Sequence, residues 1–582
     1  MNSRTLWAPD AKRVDLIIAS QRIAMMPREN GWWRVELSSD LDGADYAFSI
    51  EGGPPRPDPR SRCQPNGVHG ASRPVNVHGF KWHDSKWRQP QLSSAVIYEL
   101  HVGTFTPAGT FDAVVEKLDY LVDLGVTHVE LMPVAEFAGG RGWGYDGVDL
   151  FAPHHVYGGP DALMGLVDAC HHRGLGVFID VVYNHLGPEG NYLAEFAPYF
   201  TQKYKTPWGS AVNLDCEHSD EVRRYFCDDA LAWLRDFHFD GLRIDAIHAI
   251  FDSSAVHFLE QIACEVKALS AELARPLYLI AESDLNQPRI VTPVAAGGYG
   301  IDAQWNDDFH HSIHALLTGE RQGYYADFGR IEDIARAIAN GFVYDWRYSV
   351  FRKRFFGRPV INLDGDRFVA FIQNHDQVGN RAMGERLGHL VSPEKLKVAS
   401  TLLMTSPYVP MLFQGEEWNA SCSFQYFTSY DDGQLARAVS EGRRREFAHF
   451  MDNSEAVPDP QAPETFTRSK LDWNERDREG HREIFEWYRK LIALRRSAAD
   501  LTDPRRNRTR VSFSEQSRWM VVNRGEVAIA FNFSDGRQSI QVECMAERRL
   551  AIASSGGIET SRRQVNMPPW STAIFLPTEK PV

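Results

Sequence analysis

Asp245, Glu282 and Asp376 sit at the C-terminal ends of three apolar runs of strand length, in FDGLRIDA, LYLIAE and RFVAFIQNHD. Barrel enzymes assemble their sites from ionisable groups at the mouths of several strands. Two carboxylates flanking a sugar bond are the minimum for glycoside hydrolysis: one group protonates the leaving oxygen and one anion meets C1. Arg243 stands two residues before Asp245. Strand alternation puts both on one face, so the guanidinium keeps that carboxylate ionised and aimed, as a nucleophile requires. Glu282 closes an apolar strand, and such surroundings are expected to raise its pKa towards that of a general acid. Asp376 follows His375 and supplies a third anion.

Other polar residues reach the same rim. The run GVFIDVVYNH carries Asp180, Asn184 and His185; Asp180 is expected to hold Arg243 or the loops, and His185 to bond a hydroxyl. The glycine-rich loop GGRGWGYDG (139–147) lacks the Lys-Ser/Thr ending of a phosphate loop. Its Trp143 and Tyr145 offer flat faces for a sugar ring, with Asp146 beside them. In QWNDDFHHSIH, His310 and His314 have zinc-helix spacing, but His311 replaces the expected Glu. Trp305, Asp308 and His310 are therefore assigned to substrate binding, and no metal or cofactor is expected. A serine hydrolase has no G-x-S-x-G to rest on.

Eight apolar runs alternate with helical periods from residue 96 onward: VIYELHV, HVELMPV, GVFIDVVYN, FDGLRIDA, LYLIAESD, YGIDAQWN, RFVAFIQNHD and VPMLFQGEE. That pattern specifies a (β/α)₈ barrel over 93–500. An open doubly wound sheet would show a glycine-rich turn after VIYELHV, which is missing. In FDAVVEKLDYLVDLG, residues Phe111, Val114, Val115, Leu118 and Val122 share one face, with Thr110 as N-cap and Gly125 as terminator. A helix around 482–496 closes the barrel. Residues 1–92 read as a separate β domain with turns such as ENG and LDG, linked by the Pro- and Gly-rich stretch 52–67; residues 501–582 read as a second small all-β domain.

The 582 residues carry 63 basic and 77 acidic side chains, a net charge of −14. A nucleic-acid surface needs a basic face, so Arg443, Arg444 and Arg445 are read as a solvated helix face. Seven scattered cysteines without a CxxC suggest reduced thiols. With neither a signal-type start nor a bilayer-length apolar run, a cytoplasmic protein is expected.

DVVYNH (180–185), GLRIDAIH (241–248), the Glu282 strand and FIQNHD (371–376) together resemble the four conserved regions of the alpha-amylase superfamily of glycoside hydrolases. The resemblance implies Asp245 as nucleophile, Glu282 as acid/base and Asp376 as transition-state stabiliser. It implies sugar contacts from Arg243, His185 and His375 and a stacking role for Tyr145. In calcium-dependent relatives the position of Asn184 is a metal ligand. The strings VIYELHVGTFTPAGTF, GGRGWGYDGVDLFAPHHVYGG, VVYNHLGPEGNYL, PMLFQGEEW, RRREFA and PETFTRSKLDW, with LWAPDAKRVDL and PNGVHGASR, are similar more narrowly to the trehalose-releasing branch, whose N-terminal domain is immunoglobulin-like. That branch implies retaining hydrolysis of the α-1,4 bond beside the terminal trehalose of maltooligosyltrehalose. It also implies maltooligosyltrehalose synthase as a pathway partner; a monomer or homodimer is expected. A glucan branching enzyme is the alternative, and a catalytically dead glucan-binding barrel the remote one.

Overall fold

The computed structural model describes residues 3–38, 41, 43–447 and 457–578. Asp42 of the LDG turn and Ala448 of RRREFA lie outside the described residues.

Eight parallel strands close a barrel in chain order: β1 (Ile97–Leu100), β2 (His128–Leu131), β3 (Gly176–Val181), β4 (Gly241–Ile244), β5 (Tyr278–Ala281), β6 (Ala303–Trp305), β7 (Phe368–Ala370) and β8 (Val409–Phe413). They are the eight runs expected from the sequence. Helices outside and side chains inside leave no wet face, so the strands read as continuous apolar runs rather than alternating ones.

The period of two then builds the site. Ile97, Phe178, Ile280, Ala303 and Val369 pack together inside the barrel. Two residues further along each strand the same inward face carries Glu99, Asp180, Glu282, Trp305 and Phe371. On three of these five strands the inward face thus changes from apolar to ionisable within one period, while Trp305 and Phe371 continue the apolar packing.

The helix expected after β1 forms in two pieces, Phe111–Val115 and Leu118–Leu124. Thr110 caps the first by accepting from the Ala113 amide, and Gly125 ends the second at φ +98°. The break resets the helical phase, so Leu118, Leu121 and Leu124 are buried, whereas Val122, expected on the same face, is 40% exposed. The closing helix His481–Ser497 buries Trp487, Tyr488, Leu491 and Ile492. Its Arg495 donates to the carbonyls of Met404, Ser406 and Tyr408 just before β8.

Two three-stranded antiparallel sheets make up the N-terminal region, one around Trp32–Glu36 and one around Val14–Ile18. From there the Pro-rich connection runs onto the barrel, where Arg60 pairs with Asp228 and Arg62 with Asp236. The C-terminal region holds a five-stranded and a three-stranded antiparallel sheet. Val521, Ala530, Ile540, Val565 and Phe575 pack between them.

The segment leading to β1 is clamped under the barrel by a buried ionic group. His171 lies between Asp84 and Asp240, 2.9 Å from each, and Trp87 stacks on its ring at 4.9 Å. Burial disfavours the imidazolium, but the two carboxylates raise the His171 pKa, and both carboxyls are lowered in return. A raised His contributes stability below its unfolded pKa and loses it as pH rises through the folded one. Lowered carboxyls contribute above their unfolded pKa and lose it as pH falls. The clamp is therefore strongest in the mildly acidic window, between about 4 and 6.5. Breaking such a buried pair costs about 3–5 kcal/mol. His171→Ala is expected to unfold several degrees below wild type in thermal melts at pH 6; coincident melts would disprove the clamp.

Candidate active site

A cleft of about 330 Å³ opens at the C-terminal mouth of the barrel. Asp245, Glu282 and Asp376 all line it, together with Trp143, Tyr145, Asp146, His185 and His375.

Arg243, fully buried on β4, organises the floor. Its Nη1 lies 2.5 Å from Asp180 Oδ2 and 3.0 Å from Asp245 Oδ1, and its Nη2 lies 3.0 Å from Glu282 Oε2. Trp305 supports the guanidinium from beneath, 4.0 Å from ring centre to Cζ. Immediately after Asp245 the chain enters the left-handed region at Ala246, φ 38°. A non-glycine residue there costs about 1–3 kcal/mol. The turn aims the Ala246 amide at Glu282 Oε2, 2.7 Å away.

Burial pushes every carboxyl here towards its neutral form, but not equally. Asp245 is raised well above the carboxylate range by burial and the facing Glu282 charge. In Glu282, burial is outweighed by Arg243 and the Ala246 amide, and the pKa is lowered. This reverses both expectations, that of an Asp245 kept ionised by Arg243 and that of a raised Glu282. Arg243, read from the sequence as the partner of Asp245, touches Glu282 at the same distance. Groups this close titrate as a set and share their protons.

His375 completes the wall. Its Nδ1 lies 2.6 Å from Glu99 Oε1 and its Nε2 2.8 Å from Tyr145 Oη. Burial disfavours its charge, yet Asp376 and Glu99 raise its pKa to about 9. Tyr145 stacks on the His375 ring at 5.1 Å and donates to Asp180 at 2.6 Å. Trp143 reaches the cleft only by an edge: it is 6% exposed, stacks on Phe424 and abuts His375 edge-on. The loop's glycines serve close backbone approach, since a Cβ on Gly144 (φ +99°) would lie 2.0 Å from the Pro133 carbonyl oxygen.

Four residues assigned to substrate binding do not line the cleft, and the first is Arg243, which is wholly buried beneath the acids it pairs with. Trp305 is 1% exposed beneath Arg243, inside the barrel. Asp308 is buried and accepts from Asn286 and the amides of Val343 and Tyr344. His310 is buried between the Ile372 carbonyl and Tyr325 Oη. From that segment it is Asp307 that meets the acids, raised by burial and by Glu282, Asp284 and Asp376. Arg443 is likewise no solvated residue, being 8% exposed and donating to the Gly379 and Arg381 carbonyls behind Asp376.

The cleft also gains residues that the sequence reading passed over: Trp208, His248, Asn380, Tyr426 and Thr428. Trp208 had a signal. It is an aromatic in the turn TPWGS between two strands, and it stacks on His185 at 4.3 Å. Among the described residues, one group of three His, Cys, Asp or Glu side chains lies close enough to hold an ion: Glu136, His154 and His155. Asn184, at the calcium-ligand position of some relatives, is buried, and its carboxamide has no hydrogen-bond partner.

A closed eight-stranded barrel with three carboxylates around one guanidinium at its mouth defines a glycoside hydrolase of the alpha-amylase class. The family model "Alpha amylase, catalytic domain" matches residues 76–210, and a domain of unknown function, DUF3459, matches 504–574. A malto-oligosyltrehalose trehalohydrolase of Mycobacterium tuberculosis is 49% identical, covering 90% of this chain and 92% of its own. That of Rhizobium sp. is 46% identical over 98% of this chain and 97% of its own. A crystal structure of a Salmonella typhimurium protein described as an alpha amylase superposes with a TM-score of 0.90 at 39% identity, covering 99% and 97% of the two chains. The chain belongs to the malto-oligosyltrehalose trehalohydrolase family.

Arg243 must reach three carboxylates at once, which a lysine's single ammonium cannot do. Arg243→Lys is expected to lower turnover at least about 100-fold, the scale of a 1 Å misplacement. Turnover within tenfold of wild type would remove Arg243 from its organising place.

Proposed function

We propose that this protein hydrolyses the α-1,4-glucosidic bond beside the terminal trehalose of maltooligosyltrehalose, releasing trehalose and a maltooligosaccharide. The observation that carries the chemistry is the convergence of Asp245, Glu282 and Asp376 on one cleft, two of them bridged by Arg243. The choice of substrate is supported by relatives of that name at 46–49% identity over nearly the whole chain. A branching enzyme of Corynebacterium jeikeium is 30% identical over 64% of its length. That likeness fits the shared chemistry more than a shared acceptor.

Asp245 attacks C1 of the glucosyl unit while Glu282 protonates the departing trehalose oxygen. The C1–O bond breaks as a glucosyl ester forms on Asp245. Glu282 then takes a proton from water, which attacks C1, frees Asp245 and retains the configuration. Substrate entry must shift the shared proton onto Glu282, because the leaving oxygen accepts a hydrogen bond only from the neutral acid. Asp376 and the other anions stabilise the positive charge developing at the ring. Tyr145, His185, His375 and the half-exposed Trp208 supply donors and flat faces for the sugar.

Maltooligosyltrehalose synthase would supply the substrate as a pathway partner. Among the described residues no helix is long and apolar enough to cross a membrane. The β domains are proposed to span 1–92 and 501–582 around a catalytic barrel of 93–500.

Asp245→Asn and Glu282→Gln are expected to lose several orders of magnitude in turnover with the fold intact. Incubation with maltotriosyltrehalose is expected to yield free trehalose and maltotriose. Branch points without trehalose would assign the barrel to chain transfer, and tight glucan binding without any product would assign it to binding alone.

A further inference from the structure

We infer that Glu99 is a positioning residue of the reaction: it fixes the His375 ring and holds both ring nitrogens protonated, with Nε2–H directed to the cleft wall. The inference rests on the hydrolysis proposed above. Glu99 lies inside β1, is 1% exposed and does not line the cleft, so its action passes through His375.

The proton positions follow from the hydrogen bonds. Both Glu99 oxygens accept from His375, Oε1 from Nδ1 at 2.6 Å and Oε2 from the backbone amide at 3.1 Å. A carboxylate only accepts, so Nδ1 carries a proton. Tyr145 has a single hydroxyl proton and gives it to Asp180 at 2.6 Å. At its 2.8 Å contact with His375 Nε2 it must therefore accept, and Nε2 carries a proton as well. The ring is an imidazolium.

The charges around it agree. Asp376 on its own helix, Glu99 on β1, Asp180 on β3 and Glu282 on β5 favour the cation. Arg243 on β4 opposes it, whereas His101 after β1 is pushed down to about 3 by burial and carries no charge. Glu130 on β2 is pushed well above its usual pKa by burial and by the charge of Glu99, and so stands neutral. Of the anions, Glu99 alone is bonded to the ring nitrogen that faces away from the cleft. Its charge therefore sets the state in which His375 meets Tyr145, Asp376 and a sugar hydroxyl.

Glu99→Gln keeps the shape and one acceptor but removes the charge. With ¹³C-labelled histidine, the His375 signal (assigned by its loss in His375→Asn) is expected to titrate about one pH unit or more lower in Glu99→Gln. In Glu99→Asp, which retains the charge, it is expected to stay near wild type. With maltotriosyltrehalose, the alkaline limb of kcat/KM is expected to move down with the ring in Glu99→Gln, while the rate at pH 6 stays within about tenfold. An unmoved ring titration overturns the inference, as does a shifted ring beside an unshifted rate profile. A wild-type enzyme inactive on this substrate would count against the proposed hydrolysis, and the ring titration would still decide the place of Glu99.

Discussion

The site depends on one buried cation. Arg243 has no exposed surface and touches three carboxylates, at 2.5, 3.0 and 3.0 Å. Bringing one such acid into a barrel interior is costly, and bringing three together without a cation would neutralise them instead. Arg243 suits the position because its planar fork meets several acceptors while its face lies on an aromatic ring. Trp305 is that ring. Its burial, which removes it from the sugar, is what makes it useful.

The charge balance is deliberately incomplete. Asp180, Asp245, Glu282 and Asp376 face two cations, Arg243 and His375. Burial disfavours the ionisation of all four together, so a proton is shared among them. A double displacement needs a carboxyl that is neutral in one step and ionised in the next. An excess of acids around one guanidinium supplies such a proton without a separate donor. The Ala246 turn directs an amide at Glu282 and not at Asp245, which biases the pair in the empty cleft and leaves room for substrate to reverse the bias.

Much of this was legible in the sequence because strand periodicity does two jobs. The eight apolar runs declare the barrel, and the acids at their ends declare its mouth. Arg243 and Asp245 fall on one face for the same reason. The failures come where local pattern is silent about distance across the barrel. Nothing in LYLIAE says that Arg243 of another strand reaches Glu282, so the direction of its pKa was misread. Trp305 and His310 look like ligand contacts by residue type, yet strand alternation turns Trp305 inward and the helix starting at Asp307 buries His310. The run Arg443–Arg445 looked uniformly solvated, but only tertiary packing tells that Arg443 bonds the Gly379 carbonyl. Trp208 was missed because a tryptophan in a hairpin turn has no partner in sequence; its stacking on His185 appears only once the loops are folded.

In the proposed mechanism one inner barrel would suit hydrolysis and chain transfer alike, since a glucosyl ester on Asp245 can be attacked by water or by a sugar hydroxyl. Neither Arg243 nor the three carboxylates distinguish the two outcomes, because they act on C1 and its leaving oxygen. The distinction must lie in residues that touch the cleft without belonging to the strands: the Trp143–Asp146 loop, Trp208 on its hairpin, His248, Asn380, Tyr426 and Thr428. These come from segments inserted after β2, β3, β4, β7 and β8, which a barrel can vary without disturbing its charge balance. On that mechanism, selectivity between acceptors falls to the loops, because the inner barrel acts before the acceptor arrives.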